Sequence, residues 1–262
     1  MIKDITLGQY FPGESIIHRT DPRVKIVLTM VLMVSLLLIE SYAAFLLYAI
    51  LSFGAVLASK IPIRYTLKGL KPIMFIVIFA ALMNIFFTPG TSLIGFKFIR
   101  ITYEGIHLAA KMAFRLSLLV ISTSLLTLTT TPIALTDGLE RLFEPLKNIK
   151  VPVHEFAMMM TIALRFIPTL LEETDKIMKA QSSRGADFET GNIVKRAKSF
   201  IPILVPLFVS AFRRADELAD AMNARCYRGG VGRTRMNQLS LTRDDFIVCL
   251  VVIVFEVLLL MI

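Results

Sequence analysis

The chain has 262 residues, of which 55% are hydrophobic and 19% are charged, and its mean hydropathy is +0.69. This composition is too apolar for a single water-soluble domain of that length and is typical of a membrane protein that crosses the bilayer several times. We therefore interpret the formal net charge of +9 as a signal for orientation in the membrane, and we predict no nucleic-acid partner.

The apolar segments predict an all-α membrane protein with about five transmembrane helices. A turn at Glu40-Ser41 separates the first two segments and predicts a tight helical hairpin. After the third segment, the Pro89-Gly90 turn leads into an alternating stretch, residues 93–103, which fits a small hairpin or an interfacial loop. The predicted spans are residues 24–39, 42–59, 72–88, 105–131 and 244–262.

Basic residues in the short loops predict the orientation, because lysine and arginine are concentrated on the cytoplasmic side. The Glu40 turn has no basic residue. Four basic residues lie before or at the start of the first span and four follow the second: Lys3, Arg19, Arg23 and Lys25, then Lys60, Arg64, Lys68 and Lys71. The N-terminus is therefore predicted to be cytoplasmic, and four crossings bring the following segment back to the cytoplasm.

That segment, residues 132–243, contains no clean apolar window of membrane length. We predict a short surface helix over residues 132–146, with Pro145 ending it, and then two long amphipathic helices. The first begins near Pro152 and stops at Gly185, and the second runs from about Asn192 to near Arg225. The predicted domains are residues 1–131 with four spans, 132–243 on the cytoplasmic side, and 244–262 with the last span.

Each long amphipathic helix ends on an arginine. AQSSRGADF, residues 180–188, and AMNARCYRG, residues 221–229, place Arg184 and Arg225 in register, 41 residues apart. Either arginine alone is explained by the helix dipole, which favours a cation in the last turn by about 0.3–1 kcal/mol. The repeated register favours a second interpretation, in which each guanidinium enters a pocket on a partner and pairs with a carboxylate. Two equivalent protrusions indicate a partner that is a dimer or pseudo-dimer.

The same two motifs make the chain similar to a known family. SRG, residues 183–185, and ARC, residues 224–226, match the two X-Arg-X motifs of the transmembrane T component of energy-coupling factor transporters, which are ABC-type importers of vitamins and metal ions. The stretch GQYFPGESIIHRTDPRVK, residues 8–25, resembles the opening signature of that family. The resemblance covers essentially the whole chain, although Cys226 stands where glycine would cap a helix more easily.

The resemblance implies a scaffold in the bacterial cell membrane that joins two cytosolic ATPase subunits to a small membrane-embedded S component, which binds the substrate. ATP-driven closure of the ATPases would shift the amphipathic helices and reorient the S component. The T component itself would hold no substrate, nucleotide or cofactor. The residues expected to couple to the ATPases are Ser183, Arg184, Gly185, Ala224, Arg225 and Cys226.

The apolar front halves of the two long helices are expected to form the platform for the S component. They are too short and too interrupted by proline for confident spans, yet too apolar to be left in water. The residues predicted for this platform are Phe156, Met159, Phe166, Leu204, Leu207 and Phe208.

No catalytic or metal site is predicted. The chain lacks a G-x-x-x-x-G-K-[ST] phosphate loop, and Met158 occupies the position where an H-E-x-x-H motif starting at His154 needs its second histidine. Cys226 and Cys249 are the only cysteines, so neither a disulfide framework nor a C-x-x-C motif is available.

Two other transport functions stay open as alternatives. The permease subunit of a conventional ABC importer would normally present one coupling loop per chain, which disagrees with two arginine motifs. A secondary transporter usually carries ionisable residues at membrane depth. The candidates are Lys111, Arg115 and Glu256, of which the first two lie near the start of a span and can snorkel, whereas Glu256 could face a helical partner, a proton path or a lipid headgroup.

Overall fold

The computed structural model describes residues 10–96, 99–186, 188, 192–230 and 239–262. This part of the chain is helical, as predicted, apart from one two-stranded ribbon. The opening signature starts at Gly8 and Gln9, which lie outside the described residues. The helices are α1 Ile16–Arg19, α2 Pro22–Leu38, α3 Tyr42–Ala58, α4 Ile63–Phe87, α5 Tyr103–Thr129, α6 Pro132–Leu142, α7 Val153–Ser183, α8 Ile193–Ala224 and α9 Arg243–Met261.

The contacts within the chain divide it into two compact units. The bundle unit comprises Gly8–Leu142 and Gln238–Ile262, and it contains α1 to α6 and α9. The paired-helix unit comprises Met1–Leu7 and Phe143–Asn237, and it contains α7 and α8. The short helix α6 belongs to the bundle unit because it packs against α2.

Two helices in the described chain are long and apolar enough to cross a bilayer, α4 with 25 residues and α5 with 27. α3 is apolar over 17 residues, somewhat less than the roughly 20 needed for a crossing. Helices α2 and α9 also lie where spans were predicted. The number of crossings stays a prediction.

Two prolines do not limit their helices as the sequence analysis assumed. α4 begins at Ile63, so Pro72 lies inside it and the stretch containing Arg64 and Lys68 is helical instead of a loop. A proline inside a helix removes one hydrogen bond but does not always end the helix. Correspondingly, Pro145 does not end α6, which stops at Leu142. It lies in the first turn of a separate 3-10 helix, Glu144–Ile149, where its missing N–H costs nothing.

The alternating stretch after Pro89 forms a small hairpin, which was one of the two predicted alternatives. β1 Ser92–Phe96 pairs antiparallel with β2 Ile99–Thr102. The hairpin leads directly into α5, where the Thr102 side chain accepts a hydrogen bond from the Gly105 N–H at 3.2 Å and caps the helix.

The core of the bundle unit lies where α2, α3, α5 and α9 meet. Its buried side chains include Leu36, Phe45, Tyr48, Leu118 and Leu259. The Tyr48 hydroxyl lies 2.9 Å from the hydroxyl of Ser122, which satisfies both polar groups inside this apolar region.

Glu256 faces another helix of the same chain. The Ser35 hydroxyl of α2 donates a hydrogen bond to Glu256 Oε1 at 2.8 Å. This contact links α9 to α2 and gives the carboxyl group a partner inside the bundle unit.

α2 and α5 are antiparallel, and each supplies a cation to the C-terminal end of the other. Lys25 Nζ donates to the Thr129 carbonyl at 3.0 Å, and Arg115 Nη2 donates to the Ile39 carbonyl at 2.6 Å. Lys25 lies fourteen residues before Ile39, and Arg115 lies fourteen residues before Thr129. Because that spacing corresponds to about 21 Å of helix in both cases, the two bonds fix one register between the helices.

The paired-helix unit contains α7 and α8 in antiparallel orientation. The Tyr227 hydroxyl, after the end of α8, lies 3.4 Å from His154 Nε2 at the start of α7. Phe188, after the end of α7, lies beside Phe200 in the first turns of α8, with the rings tilted and their centroids 5.7 Å apart. Near the middle, Arg214 Nη2 and Glu173 Oε2 form an ion pair at 3.1 Å.

Candidate functional site

The first arginine motif is the C-terminal end of α7. Arg184 is the C-cap residue, and Gly185 follows it with a positive φ of 87°. The Gly185 N–H donates to the Ser182 carbonyl at 3.0 Å, and the Ala186 N–H donates to the Gln181 carbonyl at 3.0 Å. These two bonds form a Schellman motif, in which the left-handed residue reverses the chain and satisfies the last carbonyls of the helix.

The second arginine motif ends α8 in the same way, one step of 41 residues further along the chain. The Cys226 N–H donates to the Asn223 carbonyl at 2.9 Å, and the Tyr227 N–H donates to the Met222 carbonyl at 3.0 Å. Cys226 takes the position of Gly185 and has a positive φ of 56°. The helix end that the sequence left uncertain is therefore formed, with Arg225 in the position that corresponds to Arg184.

All six residues of the two motifs are exposed. Within the described part of the chain, neither guanidinium group has a hydrogen-bond or ion-pair partner. Both arginines are therefore available for contact with another molecule.

The two arginines lie at opposite ends of the antiparallel pair. Glu173 and Arg214, which form the ion pair between the helices, are themselves 41 residues apart, so they occupy corresponding positions. Each arginine motif lies eleven residues beyond its own member of the ion pair. At 1.5 Å per residue, Arg184 and Arg225 are about 16 Å from this contact in opposite directions, or on the order of 30 Å apart.

The contact between the helices also favours the ionised form of Glu173. The Ser210 hydroxyl donates a hydrogen bond to the carboxylate, and Arg214 adds its positive charge and a second hydrogen bond, so the pKa of Glu173 lies below its usual value. Sequence analysis did not identify this ion pair, although the spacing of the arginine motifs also relates its two residues.

The six residues predicted for the platform differ in exposure. Phe156, Met159, Leu204 and Phe208 are exposed, with 46% to 60% of each residue accessible to solvent. Phe166 and Leu207 are half-buried. Leu207 shares a helix face with Ile203, which is buried, so the exposed apolar face of α8 is the one that carries Phe208.

A buried charged cluster escaped the sequence analysis. The junction cluster consists of Asp21, Arg23, Lys25 and Asp245, of which Asp21, Lys25 and Asp245 are at most 8% exposed. Arg23 Nη2 donates to Asp21 Oδ2 at 2.7 Å. Burial opposes ionisation of Asp21, but the hydrogen bonds and charge of Arg23 outweigh it, so the pKa of Asp21 lies below its usual value.

A local signal pointed to part of the junction cluster. Asp21 before Pro22 is a typical start of a helix, and the Asp21 side chain does cap α2 by accepting a hydrogen bond from the Arg23 N–H. Nothing in the local pattern related this turn to Asp245, which lies 224 residues away. Among the described residues, no group of three or more histidine, cysteine, aspartate or glutamate side chains could hold a metal ion.

Sequence comparison shows the family to which the chain belongs. The family described as CbiQ, cobalt transport protein, matches residues 13–237. The energy-coupling factor transporter transmembrane protein EcfT of Ruminiclostridium cellulolyticum is 63% identical over 97% of this chain and 96% of the relative. The protein of the same name from Clostridium kluyveri is 56% identical over 97% of this chain and 95% of the relative. The one from Bacillus subtilis is 45% identical over 99% of this chain and 98% of the relative. The chain therefore belongs to the family of energy-coupling factor transporter transmembrane proteins, the non-catalytic T components, as the opening stretch and the arginine motifs had indicated.

Proposed function

We propose that this chain is the membrane scaffold that couples ATP hydrolysis by two cytosolic ATPase subunits to the reorientation of a substrate-binding S component. The imported substrate would be a vitamin or a metal ion, bound by the S component. The observation that carries this proposal is the pair of corresponding, exposed arginines at opposite ends of α7 and α8. Two such ends, on the order of 30 Å apart, suit one contact on each of two similar subunits better than a single contact on one subunit.

The proposal includes an orientation in the membrane. The N-terminus and residues 132–243 are cytoplasmic, five helices cross the bilayer, and the C-terminus is external. Lysine and arginine around residues 3–25 and 60–71 support this arrangement, because such residues are concentrated at the cytoplasmic ends of membrane spans as well as in cytoplasmic loops. Helices at all five predicted positions are consistent with it.

The S component would contact the exposed apolar side chains of α7 and α8. Phe156, Met159 and Phe208 contribute large apolar groups there, and methionine adapts its shape to different partners. A surface of this kind suits a scaffold that receives a small hydrophobic membrane protein.

The test compares alanine and lysine at the two arginines. We expect Arg184→Ala and Arg225→Ala each to weaken the contact with one ATPase by about 2–5 kcal/mol, because a buried carboxylate on that subunit loses its partner. Lysine at either position should rescue poorly, because it cannot reproduce the planar fork of donors. The measurement is co-purification of ATPase subunits with the tagged chain from detergent-solubilised membranes, together with the rate of ATP hydrolysis.

Arg228→Ala is the matched control, because Arg228 is exposed and lies three residues after Arg225 but outside the helix cap. It should keep full assembly, whereas the double variant of Arg184 and Arg225 should lose both ATPases. Wild-type assembly in the double alanine variant would show that the arginines only complement the helix dipoles. Absence of any ATPase from the wild-type preparation would reject the proposed function.

A further inference from the structure

The long segment of the paired-helix unit, Phe143–Asn237, is preceded and followed in sequence by two stretches of the bundle unit, which we call the two connections. The first starts at Thr129 and Thr130, at the end of α5, and runs through α6 to Leu142, the last residue of the bundle unit before α7. The second passes Leu239 and enters α9 at Arg243. Both connections are hydrogen-bonded to the junction cluster at the start of α2, although they are more than 100 residues apart in sequence.

Lys25 holds the first connection. Its ammonium group donates to the Thr129 carbonyl at 3.0 Å, to the Thr130 hydroxyl at 3.2 Å and to the His18 carbonyl at 3.1 Å. An ammonium group has three N–H donors, so all of them are used. Thr129 and Thr130 are buried, and water is therefore a poor substitute for these bonds.

Asp245 holds the second connection. Its Oδ1 accepts a hydrogen bond from the Asp21 N–H at 2.6 Å, and its Oδ2 accepts from the Thr242 N–H at 2.6 Å and from the Thr242 hydroxyl at 2.9 Å. One carboxylate therefore caps α9 and ties it to the residue that caps α2. Arg23 Nη2 extends the contact along the connection to the Leu239 carbonyl, at 3.4 Å.

The charges of the junction cluster depend on one another. Two buried carboxylates, the buried Lys25 and the half-buried Arg23 lie together, so removing one charge leaves the others without full compensation. Lys25 is the cation buried with Asp21 and Asp245. Loss of Lys25 should therefore loosen both connections, including the one that it does not contact.

We propose that Lys25 and Asp245 are positioning residues for energy coupling, which hold the two connections of the paired-helix unit at a fixed separation. With that separation fixed, a displacement of α7 and α8 is passed on to α5 and α9 instead of being absorbed by the connections. The role of these residues in energy coupling rests on the proposed function. The link between the two connections rests only on hydrogen bonds within the bundle unit.

The test uses the full complex, with Lys25→Met, Lys25→Arg and, as a control, Lys68→Met, which replaces an exposed lysine of α4. Amide hydrogen exchange is measured with and without MgATP. In Lys25→Met without nucleotide, we expect exchange at least about tenfold faster in both residues 129–136 and 239–246, because local opening of both segments becomes easier. Lys25→Arg should restore most of the protection, and Lys68→Met should match the wild type.

The coupling claim is tested by MgATP. In the wild-type complex, the nucleotide should change exchange in α5 and α9, and in Lys25→Met this change should disappear while ATP hydrolysis continues. If the change persists in Lys25→Met, these residues do not position the connections for coupling. If amide exchange in Lys25→Met is faster at only one connection, the two connections are not linked through Lys25. This outcome does not depend on whether the complex transports a substrate. If Lys25→Met fails to assemble, Asp245→Asn, which keeps the side-chain shape, is measured with the same expectations.

Discussion

Cys226 adopts a left-handed backbone conformation that its counterpart Gly185 adopts without a steric cost. In this conformation the Cβ atom of a residue other than glycine approaches a carbonyl oxygen, which costs roughly 1–2 kcal/mol. The end of α8 is therefore less stable than the end of α7, although the hydrogen bonds are the same. The difference lies next to Arg225, whose position depends on that helix end.

The backbone cost can be tested by substituting the left-handed residue at each helix end. Cys226→Gly should stabilise the last turn of α8 by about 1 kcal/mol, and Gly185→Ala should destabilise the last turn of α7 by a similar amount. Crowding by the rest of the described chain is not the reason, because apart from Gly185 and its two chain neighbours no described atom lies within 4 Å of a Cβ added to Gly185. Amide hydrogen exchange of the last-turn residues measures both effects.

Cys226→Ala is the control for the loss of the thiol, since alanine keeps the backbone cost. It should leave the last turn of α8 unchanged. Equal stabilisation by alanine and glycine would mean that the thiol, and not the backbone conformation, determines the stability of this helix end.

At the scale of elements, the contact between α7 and α8 should depend on pH. Because the pKa of Glu173 is lower in the folded chain than in the unfolded one, its contribution to stability is fully present above the unfolded pKa of about 4.3. It is lost as the pH falls through the folded pKa. The partly exposed ion pair limits the effect to at most about 1 kcal/mol.

We therefore expect Glu173→Gln to lose stability at neutral pH and to differ less from the wild type below about pH 4. The measurement is the free energy of local opening of α7 and α8 from hydrogen exchange across this pH range. Glu172→Gln, which changes an exposed neighbour, should keep the wild-type pH dependence. A pH dependence in Glu173→Gln equal to that of the wild type would assign the effect to another group.

Sequence patterns predicted the elements better than their contacts. The positions of α7 and α8, and the arginine at each end, follow from local features: apolar periodicity, a glycine cap and a repeated spacing. The bond from Lys25 to Thr129 joins residues 104 apart, and the contact of Asp21 with Asp245 joins residues 224 apart. No periodicity in one chain encodes which distant carbonyl a buried lysine reaches, so these contacts required the structure.

The effect of a proline on its own helix also cannot be predicted from the local sequence. Pro72 lies inside α4, whereas Pro145 starts a new 3-10 helix. A proline prevents one backbone hydrogen bond in either place. Packing of α4 along α5 outweighs that loss, and packing between helices is a tertiary property that the local sequence does not specify.

For the whole molecule, the membrane orientation can be tested with two cysteines placed in a Cys226→Ser background. Glu40→Cys lies in the turn predicted to be external, and Asn192→Cys lies at the start of α8, predicted to be cytoplasmic; both positions are exposed. With an impermeant maleimide on intact cells, we expect Glu40→Cys to be labelled and Asn192→Cys to be unlabelled, since the reagent does not cross the bilayer.

After permeabilisation both variants should be labelled, which controls for accessibility. The parent Cys226→Ser chain, which keeps the half-buried Cys249, gives the background. Labelling of Asn192→Cys in intact cells, with Glu40→Cys protected, would reverse the orientation that the basic residues predict.

The ion pair between Glu173 and Arg214 has a consequence for symmetry. If two identical helices cross about a twofold axis, the residue on the axis meets its own copy, and a glutamate there would face a glutamate. In this chain α7 and α8 occupy the corresponding places, but they are separate segments and differ in sequence. Opposite charges can therefore stand at the position where a symmetric dimer could place only like ones. Joining the two halves in one polypeptide turns a site of electrostatic repulsion into one of attraction, while the two arginine-bearing ends keep their matching geometry.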